Sequence, residues 1–242
     1  MSQQTQDGLQ ERENITYLRA SMGKLRKKTT KDDPKAVEWE DKDKNKHYDL
    51  VYANLTGILV GVGHKDGDYG HQWTFKVKAG EMVYAVQLTE NSKFGFDFLK
   101  KLPNLTQGKR YKFTPWEVEK DGNTKGGIAI IRMDDEEKIQ SFFQKFEGSE
   151  EDGWTITNVN GFPDTPKPSK KMSKDDWKIY FIQVAMFLRE HAQKFLQSDW
   201  IKTAVAPSEA KKVAAEPGTG EPGETMEPPY EFPKDDGNDL PF

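Results

Sequence analysis

Arg110, Lys112, Thr114 and Trp116 alternate along the chain with Tyr111, Phe113 and Pro115. In an extended strand, alternate residues share a face. Two cations and an indole would then project together, with aromatic rings on the opposite side. Cations neutralise phosphates and aromatic faces stack on bases, so this pairing suits a single-stranded nucleic acid. Residues 71–78, HQWTFKVK, repeat the device: Trp73, Phe75 and Val77 form one face, and Thr74, Lys76 and Lys78 the other. Two connecting loops add Lys65, Tyr69 and His71 at one end and Lys120 and Lys125 at another. Arg132 closes a last apolar segment. Each lysine alone is an ordinary solvated residue, and Trp73 alone is an ordinary core residue. Their combination on alternating strands is what points to a strand-binding face. The run Lys24, Arg26, Lys27, Lys28 offers an extension of the basic track.

Other chemistries fail on spacing. Asp66-Gly67-Asp68 opens like a calcium loop, but the twelfth position is Val77 rather than a bidentate Glu. There is no G-x-x-x-x-G-K-[ST] phosphate loop. His191 follows Arg189-Glu190 and makes no zinc-binding helix motif. His64 and His71 flank one turn without a clear third ligand. Glu40-Asp41-Lys42 resembles the E-x-K of nucleases but lies in a charged loop with no apolar strand beneath it. The chain has no cysteine, which removes disulfides, thiolate metal sites and a Cys nucleophile. No catalytic constellation, cofactor or metal site is expected.

The C-terminal segment carries a different signal. Residues 204–242 hold nine acids and three bases, a net of −6 within a chain of net −4, which leaves the remainder at +2. Residues 204–233 are rich in Ala, Pro, Gly and Glu and are expected to form a flexible linker. After it, Asp235, Asp236 and Asp239 lead into Leu240, Pro241 and Phe242. A solubilising tail needs no apolar tip, so these six residues are expected to be a peptide ligand, with the ring as anchor and the carboxylates steering it to a basic rim.

DDGNDLPF resembles the acidic tip of bacterial single-stranded-DNA-binding proteins, which implies recruitment of replication or recombination proteins. YGHQWTF at 69–75, FGFDFLKKLPN at 94–104 and EKDGNTKGG at 119–127 are similar to segments of single-stranded-DNA-binding proteins of tailed phages. That second resemblance spans most of residues 14–133. The N-terminal hairpin and the region 134–203 depart from the bacterial proteins, so their tetrameric state does not carry over.

The elements that must position these residues follow from periodicity and turn chemistry. Residues 14–29 read as a hairpin turning at Met22-Gly23, and Val37 and Trp39 as a short edge strand. Residues 50–63 read as one long strand, 64–70 as a turn, and 71–78 and 81–89 as strands. Residues 92–102 have Phe94, Phe98 and Leu102 at helical spacing before Pro103. Strands at 109–119 and 126–132 follow. Three strands, a helix and two strands is the order of the OB-fold, a five-stranded barrel that binds oligonucleotides. Residues 134–172 are mixed and polar, with Trp154 and Phe162 as docking points. Ser173 and Asp176 fit a capping box that opens an amphipathic helix to about residue 198. That helix is expected to pack on the barrel.

The expected organisation is thus a disordered segment 1–13, a mainly β OB-type domain over 14–203 and a disordered acidic tail over 204–242. No secretory signal and no apolar stretch long enough to span a membrane is visible, so a cytoplasmic protein is expected. The function expected is binding of single-stranded DNA. Two other readings stay open: a protein-interaction adaptor that binds no nucleic acid, and a metal-dependent nuclease.

Overall fold

Alternation of apolar and polar residues dominates the first two-thirds of the chain, and it folds into one large sheet. The structure is a computed structural model, and it describes residues 14–41, 43–67, 70–120, 123–149, 153–165 and 173–197. In chain order the strands are β1 (Ile15–Ser21), β2 (Lys24–Lys28), β3 (Val37–Glu40), β4 (Lys46–Tyr52), β5 (Leu55–Gly67), β6 (Gly70–Ala79) and β7 (Met82–Thr89). Helix α1 (Lys93–Lys101) precedes β8 (Arg110–Lys120) and β9 (Asn123–Arg132). The hairpin β10 (Gln144–Ser149) and β11 (Gly153–Asn158) comes next, and helix α2 (Lys174–Gln197) ends the described chain. Nine strands form one sheet in the order β3-β4-β2-β1-β7-β6-β5-β8-β9, and β10 and β11 form a second. All pairs are antiparallel except β1 with β7.

Two sequence expectations need correction. Residues 50–63 are not one strand. The chain breaks after Tyr52 because β4 pairs with β2, whereas from Leu55 onward β5 pairs with β8 and β6. Residues 64–70 are not mostly turn, since His64–Gly67 pair with Gly70–Trp73. A hairpin also occupies 144–158, where the sequence reads as irregular. Residues 1–13 and 204–242 and the side chains of Tyr69, Lys120 and Trp154 lie outside the described residues.

The sheet curls because its long strands change partner along their length. β5 pairs with β8 only over Leu55–Ile58, then with β6 up to its tip. A register shift between Leu59 and Gly61 lets both Leu59 and Val62 face inward. Beyond Phe113, β8 is paired with β9 alone, which is where a strand tolerates Pro115. The β1–β2 turn closes onto this stretch. Gly23, at φ +65°, lies so near that a Cβ on it would stand 2.8 Å from the Glu117 backbone nitrogen.

Inside the curl, Trp73, Phe75, Val77, Tyr111, Phe113, Ile128 and Ile130 are fully buried. Phe75 contacts both Phe98 and Phe113, with ring centroids 4.7 Å apart in each case. Ser92 caps α1 by accepting from the Gly95 N–H at 3.0 Å, and Phe94, Phe98 and Leu99 are buried beneath the helix. α1 also protects the free edge of β9. Asp97 Oδ2 accepts from the Ile128 N–H at 2.6 Å, and Lys101 Nζ donates to the Ile128 carbonyl at 2.8 Å and to Asp97 at 2.7 Å. An open strand edge is a template for aggregation, and here two side chains take its hydrogen bonds.

Helix α2 begins at a reciprocal cap. Ser173 Oγ accepts from the Asp176 N–H at 3.2 Å, and Asp176 accepts from the Ser173 N–H at 2.9 Å. Its buried face is Tyr180, Val184, Leu188, Ala192 and Leu196. Arg189 ties it to the sheet through Glu90, whose carboxylate is 1% exposed and also accepts from Trp73 Nε1 at 3.0 Å. Among the described residues, no helix is long and apolar enough to cross a membrane.

Candidate nucleic-acid interface

With Trp73, Phe75 and Val77 pointing inward, Thr74, Lys76 and Lys78 must point outward, and the pairing registers extend that face in both directions. Lys78 stands opposite Ile58 on β5, and Ile58 stands opposite Arg110 on β8. Lys112 stands opposite Thr56. Directly opposed residues project to the same side, so Lys78, Ile58 and Arg110 form one row, with Lys76 and Lys112 in the rows beside it. None of the four cations has an ion-pair partner among the described residues. Ile58 is 40% exposed between two of them.

Small residues keep this face low. Gly61 lies opposite Lys76 and Gly63 opposite Thr74, and a Cβ on either would meet nothing within 4 Å. Gly57 faces the other way and has a different task. A Cβ there would sit 2.4 Å from the Lys78 carbonyl oxygen, so its absence lets β5 press against β6. The glycines of one strand thus serve close packing on one side and an open trough on the other.

Other residues singled out from the sequence fall elsewhere. Trp116 shares the outward face of β8, but it lies beyond the stretch paired with β5, near the Gly23 turn, and is half-buried. Lys125 stands opposite Val118 at the far end of the β8–β9 hairpin. His71 has the inward parity of Trp73, sits at the β5–β6 tip and pairs with Asp66. Arg132 stands opposite the buried Tyr111 and is clasped by Asp135, at 2.8 Å, and Glu137. The hydrogen bonds that Arg132 donates to Asp135 raise its pKa further above the usual arginine range. Arg132 is therefore a locally neutralised rim residue on the inward side, apart from the row. Arg26 faces outward, but burial and Asp49 hold it at the sheet surface.

The sequence reading missed the outward neighbours on β7 and β1. Ala85 lies between Lys76 and Tyr17, and Gln87 between Thr74 and Arg19. Alternation about the buried Leu18 marks Tyr17 and Arg19 as outward, but nothing local says that β1 lies beside β7.

A cavity of about 890 Å³ lies apart from these four cations. Met22 at the β1–β2 turn, Phe94 and Phe96 of α1, and Phe181, Ile182 and Met186 of α2 supply its apolar lining. Lys125 lines it too, with Lys93, which pairs with Glu117 at 3.1 Å. Among the described residues, no three His, Asp or Glu side chains gather as a metal site. No protein-family model matches the chain, and no curated protein matches it.

Proposed function

We propose that this protein binds single-stranded DNA across the outward face of β8, β5 and β6, and that its acidic C-terminal segment recruits replication or recombination proteins. The observation that carries the reading is the cluster of Arg110, Lys112, Lys76 and Lys78. These cations lie on β6 and β8, the two strands that flank β5, are not engaged by carboxylates among the described residues, and border a trough kept open by Gly61 and Gly63 of β5. Cations free of internal partners are available to phosphates, and an open, low-relief floor admits bases.

The sheet supports an OB-type reading of the domain. The order β7-β6-β5-β8-β9, with α1 between β7 and β8, matches a partly open five-stranded barrel of that class. On this reading the gap between β7 and β9 is spanned by α1, and β1 to β4 are an N-terminal addition. The oligonucleotide-binding surface of the class is the face of its second and third strands with the flanking hairpins, and Lys76 and Lys78 lie on the second strand.

Fluorescence anisotropy of a labelled oligo-dT of about 16 nucleotides, the upper end of OB-fold site sizes, tests the proposal. Saturable binding that an unlabelled single strand displaces and a duplex does not is the expected result. Absence of binding at low salt refutes it.

A further inference from the structure

We infer that the strand-binding track does not end at β6 but crosses β7 onto β1, where Tyr17 is a base-stacking platform and Arg19 a preset phosphate contact. This rests on the single-strand reading of the face. The row from Gly61 through Lys76 and Ala85 ends on Tyr17, each residue directly opposite the next. Adjacent strands lie about 4.8 Å apart, so Tyr17 stands roughly 10 Å from Lys76. Ala85 between them is small and fully buried, so no bulky side chain rises between Lys76 and Tyr17.

Tyr17 is 56% exposed, the joint highest exposure among the large apolar and aromatic side chains of the described residues, although its neighbours Leu18 and Ala85 are buried. No hydrogen bond engages its hydroxyl among the described residues. A ring left so open at mid-sheet contributes little to the core, and it presents a face to anything lying in the trough.

Arg19 is held differently. Its Nη2 donates to Asp49 at 2.6 Å, its guanidinium lies 4.8 Å over the Trp39 ring, and yet its side chain remains 44% exposed. Asp49 is 1% exposed and is shared with Arg26, at 3.4 Å. Two guanidiniums on one carboxylate leave one positive charge over. Trp39, itself stacked with His47 at 4.6 Å, fixes the arginine in place. Such anchoring lowers the entropic cost of meeting a phosphate. The outward cations thus run from β8 to β1 with an aromatic ring in their path, the combination that nonspecific single-strand sites use.

The test uses the full chain with Tyr17→Ala, Tyr17→Phe and Arg19→Gln, against oligo-dT of increasing length. Tyr17→Ala should weaken binding of the longer oligomers roughly 5- to 150-fold, the range of one base–aromatic stack. It should leave the shortest bound oligomers little changed, and Tyr17→Phe should restore affinity. Arg19→Gln should weaken the same lengths and flatten the salt dependence by about 0.7 in log–log slope. Ultraviolet cross-linking of wild-type protein to oligo-dT should label the peptide containing Tyr17, which keeps the test independent of how the variants fold. Wild-type affinity of Tyr17→Ala at every length, or absence of that cross-link, overturns the extension; loss of affinity in Lys76→Gln/Lys78→Gln then shows that the β6 face still binds. A wild-type chain that binds no oligomer overturns both.

Discussion

Removing Glu90 should loosen α2 from the sheet without touching the outward face. The carboxylate is 1% exposed and accepts three hydrogen bonds from Arg189, at 2.5, 3.0 and 3.2 Å, and one from Trp73 Nε1 at 3.0 Å. Glu90→Ala leaves the indole N–H buried without an acceptor, at about 1–3 kcal/mol. It also strips Arg189 of its partner, but that side chain is 27% exposed and can turn to water. The combined cost should be about 3 kcal/mol, the lower end for breaking a buried pair. Arg189→Ala is the harsher change, toward 5 kcal/mol, because the charge left behind is the buried one. Glu90→Gln keeps an acceptor for Trp73 and should cost roughly 1.5–3 kcal/mol. Urea unfolding followed by tryptophan fluorescence measures all three, and amide exchange locates the loss in α2. Costs below about 0.5 kcal/mol for both alanine variants, typical of exposed surface positions, would refute the view that this pair fastens the helix. Oligo-dT affinity should be unchanged in every variant that folds.

Gly61→Val and Gly63→Val should fold normally, since a Cβ there meets no atom within 4 Å, yet should weaken single-strand binding by filling the trough; anisotropy and thermal melting separate the two effects. Hydrogen bonds from Ser173 hold the Asp176 carboxyl below its ordinary value of 3.8. Its contribution to the α2 start is therefore fully present above that value and is lost as pH falls through the lower folded value, so amide protection in the first turn of α2 should decline on acidification below about pH 4, and Asp176→Asn should abolish that dependence. Phe242→Ala should leave oligo-dT affinity intact while removing replication or recombination proteins from a pull-down; an unchanged set of captured proteins would mean that the terminal ring is not the anchor.

Local rules located the strands around the candidate face because their alternation is clean. Trp73, Phe75 and Val77 point inward as their spacing requires, and Tyr111 and Phe113 do the same on β8. Ser92 and Ser173 mark both helix starts. What local rules missed was decided by pairing. The segment 50–63 is mostly apolar and Gly-rich, and the lone Asn54 is too weak a turn signal to mark the change of partner strand at Ala53-Asn54. Arg132 looks like a free strand-end cation until Asp135 and Glu137 fold back onto it. Tyr17 and Arg19 are outward by alternation, but only the parallel pairing of β1 with β7, which joins residues 68 apart in the chain, brings them beside Lys76. The exposed Phe146 and Ile156, paired across β10 and β11, sit in a segment whose polar flanks hide its strands.

The most direct measurement is the salt dependence of oligo-dT affinity for the wild-type chain and for a variant with Lys76, Lys78, Arg110 and Lys112 all changed to Gln. Each phosphate neutralised on a single strand contributes about −0.7 to the slope of log affinity against log salt. If these four cations meet four phosphates, the variant's slope should be shallower by about 2.8, with an unchanged thermal midpoint. Equal slopes for the two proteins, with both folded, would contradict the placement of the strand on this face.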